Sequence, residues 1–192
     1  MSHARKLAEL ISAATRLPLL AAPLFLAVGA EAAGTPGLVW GLSCLFLTSG
    51  LSLVYLLYLA RSGKVRDPRS ISQAERVRPL RVVAALHFGA FLVITLLGAP
   101  AELRAALLSY ALATLVFALL TPFVNISLHA AGASGVAVCL IYVFGAWGLP
   151  AILLVPFVWW ARTLLGRHTP QELALGVLVG GGATWVAFQL LL

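Results

Sequence analysis

The side chains that could do chemistry come from three short polar segments of an otherwise apolar chain. They are Lys64, Arg76 and Arg78 in the first segment, Ser127 and His129 in the second, and Arg162, His168 and Glu172 in the third. Cationic side chains neutralise the oxygens of a phosphoryl group, while one imidazole can attack phosphorus and another can protonate the leaving oxygen. The residue types therefore favour phosphoryl chemistry, provided that the fold brings the three segments together.

The carboxylates do not form a group that would hold a metal ion. They are spread singly along the chain, at Glu9, Glu31, Asp67, Glu75, Glu102 and Glu172. Magnesium-assisted diphosphate chemistry uses grouped carboxylates. The two cysteines, Cys44 and Cys139, lie in apolar runs that fit neither a disulfide nor a metal site. We therefore expect a site that works without a metal ion or another cofactor.

The composition predicts that these segments belong to a membrane protein. Of the 192 residues, 61% are hydrophobic and only 10% are charged, and the mean hydropathy is +1.02. Soluble domains contain about 25% charged residues. The formal charge of +7 is confined to a few segments, which argues against a nucleic-acid-binding protein with a solvated basic face. The expected surroundings of the chain are a lipid bilayer.

Apolar stretches long enough to cross a bilayer separate the polar segments. A membrane helix needs about 20 mostly apolar residues. Glycine and proline breakers divide the chain into seven candidates: residues 17–33, 38–60, 82–99, 105–121, 130–149, 150–165 and 173–192. The first candidate contains Pro18, Pro23 and Glu31. We therefore predict an all-α, polytopic transmembrane helix bundle of six to seven membrane helices, forming one domain over residues 17–192.

Residues 1–16 form a basic segment ahead of this domain. Leu7, Leu10, Ile11 and Ala14 recur at amphipathic spacing, which predicts a helix lying at the membrane interface. A basic start, an apolar stretch and the small residues around Glu31 are also the pattern of a cleaved signal peptide. The sequence leaves both interpretations open.

The three polar segments are predicted to share one side of the membrane, which we call face A. Counting the crossings puts residues 61–81, 122–129 and 162–172 on face A. All 13 Lys and Arg residues except Arg104 then lie on face A, and Arg104 lies on the opposite side, face B. Basic residues accumulate on the cytoplasmic side of membrane proteins. We therefore expect face A, and the site with it, on the cytoplasmic side of the cytoplasmic membrane.

The segments resemble the signature of the type 2 phosphatidic acid phosphatase superfamily of membrane lipid phosphatases. That signature reads K-x6-R-P, P-S-G-H and S-R-x5-H-x3-D, and the stretches that resemble it are K-V-R-D-P-R-S-I-S-Q-A-E-R-V-R-P (64–79), I-S-L-H (126–129) and A-R-T-L-L-G-R-H-T-P-Q-E (161–172). Arg162 and His168 keep the R-x5-H spacing. The order of the segments agrees, and the resemblance covers most of the chain from the second predicted helix onward.

The chain departs from this signature in its details. Lys64 lies 14 residues before Arg78 rather than seven. Ile126 and Leu128 stand where the family has Pro and Gly, Ala161 stands in place of Ser, and Glu172 in place of Asp.

The resemblance implies a phosphohistidine mechanism. His168 would attack phosphorus, and His129 would protonate the leaving oxygen. Glu172, at the family's carboxylate position, would hold His168 in the tautomer that presents a free ring nitrogen.

The resemblance also implies how the phosphate is held. Lys64, Arg78 and Arg162 would bind its oxygens. The backbone amides at Ser127 and Leu128, at the start of a helix, would stabilise the negative charge that grows there.

Several of these assignments have alternatives in the sequence. Arg76 competes with Arg78 as the phosphate ligand. The K-x-x-D spacing is similar to that of a bacterial and archaeal branch of the family, which makes Asp67 a candidate neighbour of the site. Lys64 belongs either to the site or to the basic residues that set orientation and grip anionic lipids.

The third segment has a structural interpretation as well. Thr169-Pro170-Gln171-Glu172 is a capping box, so Glu172 caps the last helix, orients His168 or does both. His129 and His168 flank helix starts, where a histidine is often only a solvated loop residue. Their shared face and the R-x5-H spacing favour the catalytic interpretation.

Two further features concern the helices themselves. His87 is ionisable and lies inside a predicted membrane helix, and we interpret it as a hydrogen-bonded packing residue. Gly132, Gly135, Gly176 and Gly180 are predicted to let the two histidine-bearing helices approach closely.

Location and chemistry together predict a membrane lipid phosphatase. A site at the interface suits a phosphorylated membrane lipid whose head group reaches the basic residues while its tail stays in the bilayer. Candidates are phosphatidic acid, phosphatidylglycerol phosphate and polyprenyl phosphates or diphosphates, and the many positive groups favour a diphosphate. The alternatives are a transporter or flippase that binds phosphorylated lipids without cleaving them, and a structural protein that binds anionic lipids. The two histidines favour hydrolysis.

Overall fold

The structure, a computed structural model, describes residues 2–64 and 73–192, with only the backbone at residue 74. Its helices are α1 (His3–Ala14), α2 (Leu17–Leu45), α3 (Leu51–Arg61), α4 (Gln73–Leu96), α5 (Ala101–Leu120), α6 (Leu128–Phe144), α7 (Leu154–Leu164) and α8 (Pro170–Leu191). A π-helical segment, Phe46–Gly50, joins α2 to α3, and a 3₁₀ helix, Gly145–Leu153, joins α6 to α7. These two ranges contain no strand, so the all-α prediction is confirmed for them.

Five helical stretches within the described ranges are long and apolar enough to cross a membrane. They are Leu17–Arg61, Glu75–Leu96, Ala101–Leu120, Leu128–Leu164 and Pro170–Leu191. Large apolar side chains are exposed on the outside of the bundle, including Leu96 at 85% and Trp147 at 90%. Such a broad apolar exterior is compatible with insertion into a bilayer. The six to seven membrane helices predicted from the sequence are not confirmed by this count.

The first of these stretches turns back on itself at Gly34. This residue has φ 59° and ψ −137°, a conformation that glycine adopts without a steric penalty. A β-carbon on Gly37 would collide with the backbone oxygen of Gly29, and one on Gly41 would collide with that of Phe25. Gly37 thus lies beside Gly29 and, further from the turn on both sides, Gly41 lies beside Phe25. The segments on either side of Gly34 therefore run antiparallel.

The fourth stretch turns back in the same way at Gly145, which has φ 57° and ψ −128°. A β-carbon on Gly148 would collide with the backbone oxygen of Leu140. The sequence predicted this break at Pro150, and that boundary is corrected. The left-handed φ requires glycine, whereas Pro150 is accommodated inside the 3₁₀ helix.

The helices that carry the candidate histidines pack side by side. Gly176 of α8 lies against Ser127, and Gly180 lies against Ala131 of α6, so the two sequences advance in the same direction. The hydroxyl of Ser134 donates a hydrogen bond to the carbonyl of Val177 at 3.0 Å between the same helices. α6 and α8 are therefore parallel, and both begin at the same end of the bundle.

The predicted role of the four glycines is confirmed for three of them. Gly176 and Gly180 meet α6, and Gly135 meets Gly180 and Thr184 of α8. Gly132 is different, because its nearest neighbours are Leu17 and Leu20 of α2. Its part of the prediction is corrected: Gly132 makes room for α2 rather than for α8.

The amphipathic helix α1 packs on the bundle, against α7. Ala8 and Thr15 are buried, whereas Leu7 and Leu10 on the opposite side are exposed. Ser2 is the N-cap, and its hydroxyl accepts a hydrogen bond from the amide of Arg5. The basic N-terminal segment, which the sequence predicts to precede the membrane domain, is thus in contact with α7, close to the third polar segment.

Candidate functional site

His168 and Glu172 form the best-defined pair of the site. The Nδ1 of His168 lies 3.0 Å from the Oε2 of Glu172. The same oxygen accepts a hydrogen bond from the amide of Thr169, whose hydroxyl accepts one from the amide of Glu172 in return. Glu172 therefore performs both roles that the sequence left open: it closes the capping box of α8 and it orients His168.

The position of His168 follows from the turn that precedes α8. Gly166 adopts a φ of 61°, and the chain then reaches the N-cap Thr169 in an extended conformation. The side chain of His168 is only 4% exposed. With Nδ1 donating to the carboxylate, Nε2 carries a lone pair and has no hydrogen-bond partner among the described residues. This is the nitrogen that a nucleophilic role requires.

Ser12 of α1 contacts two other candidate residues. Its carbonyl lies 3.1 Å from the Nε2 of His129, and its hydroxyl accepts a hydrogen bond of 2.8 Å from the Nη1 of Arg162. Since a carbonyl oxygen only accepts, the Nε2 of His129 must carry hydrogen. The second segment and the third segment of the sequence are thus linked through the N-terminal helix.

Arg76 is the arginine of the first segment that turns toward the site. Its Nη1 donates a hydrogen bond of 3.2 Å to the Oδ1 of Asn125, and the guanidinium interacts electrostatically with Glu172. Arg78, two positions further along α4, is exposed. Of the two candidates that the sequence left open, Arg76 is therefore the one that lies beside Glu172, and which of them binds phosphate stays a prediction.

We call Arg76, His129, Arg162, His168 and Glu172 the polar cluster. Arg162 interacts electrostatically with Arg76, and His129 interacts with both Arg162 and His168. The exposed side chains of Arg16 and Arg167 add further positive charge around Arg162. The cluster contains two guanidinium groups and one carboxylate, that of Glu172. It therefore has an excess of positive charge, which suits an anionic ligand.

The protonation of His168 is set by opposing influences. Burial lowers the pKa of His168 below its ordinary value, and the charges of Arg162 and Arg76 act in the same direction. The hydrogen bond and the charge of Glu172 raise the pKa and so oppose this shift. The net lowering keeps His168 neutral at neutral pH, as a nucleophile must be.

Arg162 has donors that the described residues do not use. It forms no ion pair among them, and its Nε is buried without a hydrogen-bond partner. A buried N–H group without an acceptor is costly unless one is supplied. An anion bound at the cluster would supply one.

The start of α6 differs in part from the expectation. Ser127 is fully buried and is the N-cap, with its hydroxyl accepting from the amide of Ala130. The amide of Ser127, however, donates to the carbonyl of Glu172 at 3.2 Å. This amide thus already has an acceptor on α8, and the expected role of Ser127 in phosphate binding stays a prediction. The amide of Leu128, at the first position of α6, has no acceptor among the described residues.

Lys64, the predicted site residue at the start of the first segment, contacts Tyr58 rather than the polar cluster. The Nζ of Lys64 donates to the hydroxyl of Tyr58 at 3.3 Å and lies 5.2 Å from the centre of its ring. Lys64 is exposed, and both contacts are with Tyr58 at the end of the preceding helix, α3. Asp67 lies outside the described residues.

His87 has a different environment. It is buried in α4, with Nε2 3.4 Å from the hydroxyl of Ser52 and Nδ1 3.3 Å from the hydroxyl of Thr114. Both ring nitrogens are paired with hydroxyl groups of neighbouring helices. The prediction of a hydrogen-bonded packing role is confirmed.

No group of three or more His, Cys, Asp or Glu side chains that could hold a metal ion is found in residues 2–64 and 73–192. The cysteines Cys44 and Cys139 are free and buried, as their apolar surroundings predict. The expected independence from metal ions stays a prediction.

Sequence reasoning missed two residues that contact the cluster. Ser12 was hidden in an amphipathic segment, where a serine is usually one polar position among several. Asn125 directly precedes the I-S-L-H stretch, and this adjacency was the available signal. Neither contact follows from spacing, because the partners lie 150 residues apart for Ser12 and Arg162, and 49 for Asn125 and Arg76.

The candidate residues of the second and third polar segments lie together in the described part of the chain. Arg162, His168 and Glu172 stand at one end of the bundle, and the second segment reaches them through His129. No protein-family model matches this chain, and no curated protein or solved structure shows significant similarity to it.

Proposed function

We propose that this protein is a membrane-embedded lipid phosphatase that hydrolyses a phosphate or diphosphate monoester through a phosphohistidine. The observation that carries the proposal is the partly buried pair of His168 and Glu172 beside Arg162 and Arg76. The pair leaves one imidazole nitrogen with a lone pair, and the guanidinium groups supply charge for phosphate oxygens.

The reaction proceeds in two steps at phosphorus. In the first, the Nε2 lone pair of His168 forms a bond to phosphorus while the bond to the leaving oxygen breaks, and Glu172 stabilises the positive charge that develops on the ring. In the second, water attacks phosphorus, the nitrogen–phosphorus bond breaks, and phosphate leaves. Arg76 and Arg162 stabilise the charge on the phosphoryl oxygens in both steps.

His129 delivers the proton to the leaving oxygen. Because its Nε2 hydrogen is bound to the carbonyl of Ser12, the transferred proton must come from Nδ1 of the imidazolium form, which the negative charge of the bound phosphoryl group favours. Water in the second step then gives a proton back to Nδ1. The acid and the nucleophile are thus two different histidines with different hydrogen-bond partners, which matches the two tasks.

The helical hairpins support seven membrane crossings for the chain. A turn at Gly34 divides Leu17–Arg61, and a turn at Gly145 divides Leu128–Leu164, so five apolar stretches become seven segments. The parallel packing of α6 and α8 requires an intervening segment that runs back, and the second hairpin provides it. This topology puts the polar cluster on face A, which by its basic residues is the cytoplasmic side of the cytoplasmic membrane.

Labelling of single cysteines tests this orientation. Ser62 at the end of α3 and Thr35 at the first hairpin turn are exposed and lie on opposite faces in the proposed topology. In intact cells, an impermeant maleimide should label Thr35→Cys and spare Ser62→Cys. The reverse pattern contradicts the cytoplasmic placement, and labelling of both contradicts the crossing number.

The substrate is a phosphorylated lipid whose head group lies at the interface. α1, with Leu7 and Leu10 exposed, borders the cluster at the same end of the bundle. Polyprenyl phosphates or diphosphates and phosphatidate-type lipids present the phosphoryl group at this depth, and the excess of positive charge favours a diphosphate. The partners are therefore the substrate lipid and the bilayer.

Phosphate release from a polyprenyl diphosphate in the presence of a chelator tests the proposal. Wild-type protein in detergent or nanodiscs should release phosphate, and rapid quenching at neutral or alkaline pH should trap phosphate on His168, located by mass spectrometry. His3→Ala, at an exposed position of α1, is the matched control and should keep wild-type activity.

Three results would count against the proposal in different ways. Phosphate release that persists in His168→Ala removes the nucleophile assignment. Activity that requires an added divalent cation contradicts metal independence. Tight lipid binding without release by the wild-type protein favours the transporter or flippase.

A further inference from the structure

We infer that Ser12 of α1 is a positioning residue of the site: it orients Arg162 for the phosphate and fixes the tautomer of His129. The inference rests on the proposed function and adds to it a residue from a segment that the lipid phosphatase signature does not include. It makes α1 an integral part of the phosphate-binding site.

The two contacts of Ser12 reach different members of the polar cluster. The hydroxyl of Ser12 accepts from the Nη1 of Arg162 at 2.8 Å, and its carbonyl lies 3.1 Å from the Nε2 of His129. Arg162 lies near the end of α7 and His129 near the start of α6, so Ser12 links the ends of two helices. A shared acceptor of this kind sets the distance and the angle between the two side chains.

The carbonyl of Ser12 is available because of its place in α1. It belongs to the last turn of the helix, where carbonyl groups lack intrahelical partners. The amides of Thr15 and Arg16 bond to Ile11 and Ala13 and leave the carbonyl of Ser12 to His129. The negative end of the helix dipole also faces the excess positive charge of the cluster, which stabilises this arrangement.

α1 is packed firmly enough to act as a support. Ala8 is fully buried and Thr15 is 6% exposed, and the Thr15 hydroxyl donates to the carbonyl of Ile11. Two residues, one on either side of Ser12 in sequence, are thus buried, and α1 packs on α7. Positioning residues are effective when their own elements are fixed by packing.

The contacts with Ser12 leave free the groups of Arg162 and His129 that would act on the substrate. Arg162 binds Ser12 through Nη1, and its remaining N–H groups have no acceptor among the described residues. His129 binds Ser12 through Nε2 and keeps Nδ1 for proton transfer. Ser12 can therefore stay bound while a phosphoryl group is held, which distinguishes a positioning residue from a group that blocks the site.

Substitutions at Ser12 test this inference through substrate affinity. Ser12→Ala removes the hydroxyl contact to Arg162 and keeps the carbonyl contact to His129. We expect KM for the polyprenyl diphosphate and the inhibition constant of inorganic phosphate to rise about tenfold, with a smaller change in kcat. Ser12→Thr keeps a hydroxyl and should restore values near those of the wild type.

Ser2→Ala is the matched control. Ser2 is the other serine of the N-terminal segment that accepts a hydrogen bond in α1, and its replacement weakens the N-cap without touching the cluster. Both constants should stay within about twofold of the wild type. If Ser2→Ala raises them as much as Ser12→Ala, the effect comes from the stability of α1 and the inference is overturned.

The remaining outcomes separate this inference from the proposed function. An unchanged or lower inhibition constant of phosphate in Ser12→Ala, in an active protein, overturns the positioning role alone. A wild-type protein that neither releases phosphate nor binds it overturns the proposed function as well. Nitrogen-15 NMR of the histidines supplies a readout independent of turnover: neutral His129 should be protonated at Nε2, and protonation at Nδ1 contradicts the contact with Ser12.

Discussion

Two regions of the molecule bury histidines, and they differ in what surrounds the rings. His87, in the middle of α4, is paired on both nitrogens by the hydroxyls of Ser52 and Thr114. His168, before α8, is paired on one nitrogen by the carboxylate of Glu172 and interacts with Arg162 and Arg76. The first ring is satisfied by neutral partners, whereas the second keeps an unpaired nitrogen among charges.

The difference teaches that burial alone does not identify a functional histidine. Both rings are removed from water, and an ionisable residue within an apolar helix is a functional candidate by default. What separates the two is the asymmetry of the hydrogen bonds and the presence of cations near the free nitrogen. A packing residue needs every polar atom matched, while a nucleophile needs one that is not.

The largest expected difference between the two regions lies in turnover. His168→Ala should reduce phosphate release by about a thousandfold or more, because the nucleophile is lost. His87→Ala should keep the activity per folded molecule but lose about 2 kcal/mol of stability, because a buried ring and its hydrogen bonds to Ser52 and Thr114 are lost. Activity assays paired with thermal melts of both variants check this contrast, and a folded but inactive His87→Ala protein would break it.

The charge of Glu172 should be visible in the pH profile. In the proposed mechanism neutral His168 is the nucleophile, so kcat/KM should fall as the pH drops through its pKa. Burial places this acid limb below the ordinary pKa of histidine, about 6.5. Glu172 raises the pKa of His168, so Glu172→Gln should move the limb to still lower pH, while lowering kcat about ten- to a hundredfold. A limb that moves to higher pH, or stays in place, contradicts the pairing.

The two arginines of the first segment should differ strongly despite their proximity in sequence. Arg76 interacts with Glu172 and contacts Asn125, whereas Arg78 is exposed. We expect Arg76→Ala to lower kcat/KM about tenfold or more, because a cation beside the phosphate is lost, and Arg78→Ala to change it by less than about twofold. Equal losses in both variants would remove the assignment of Arg76 over Arg78.

The smallest expected effect concerns the helix contact that holds the histidines together. A β-carbon on Gly180 would collide with the backbone of Ala131, while one on Gly182 would meet open space. Gly180→Ala should therefore lower the melting temperature, by an amount that corresponds to about 1–3 kcal/mol, and reduce turnover about severalfold. Gly182→Ala is the control and should melt as the wild type. Similar melting of the two variants would show that α6 and α8 do not pack as described.

The elements of the fold were predictable to different degrees. Apolar length and breakers predict the helical stretches, since a chain with so few polar residues has little choice but helices that satisfy their own backbone. The hairpin at Gly34 was placed to within a few residues, whereas the second was expected at Pro150 and occurs at Gly145. A proline interrupts the hydrogen bonds of a helix wherever it occurs. The position of a left-handed turn depends instead on where the two helices make their closest contact.

The candidate site was predictable in its third segment and less so in its first. The capping box fixes the geometry of Glu172 locally, so its contact with His168 four residues away is within reach of sequence reasoning. The choice between Arg76 and Arg78 was not, because residues two positions apart point to different sides of a helix and only the packing of α4 decides which side faces the site. The contribution of Ser12 depends on a contact across most of the chain.

The sequence by itself determined an apolar, helical chain with most of its cations and both candidate histidines in three polar segments, because composition and local spacing act without regard to distant residues. Only the tertiary structure decided which nitrogens and guanidinium groups meet, which amide is already used between helices, and that α1 carries Ser12 to the cluster. These contacts arise from the parallel approach of α6 and α8 over glycine and from the docking of α1 on α7. Such approaches depend on the shapes of surfaces formed by residues far apart in the chain, and no local pattern encodes them.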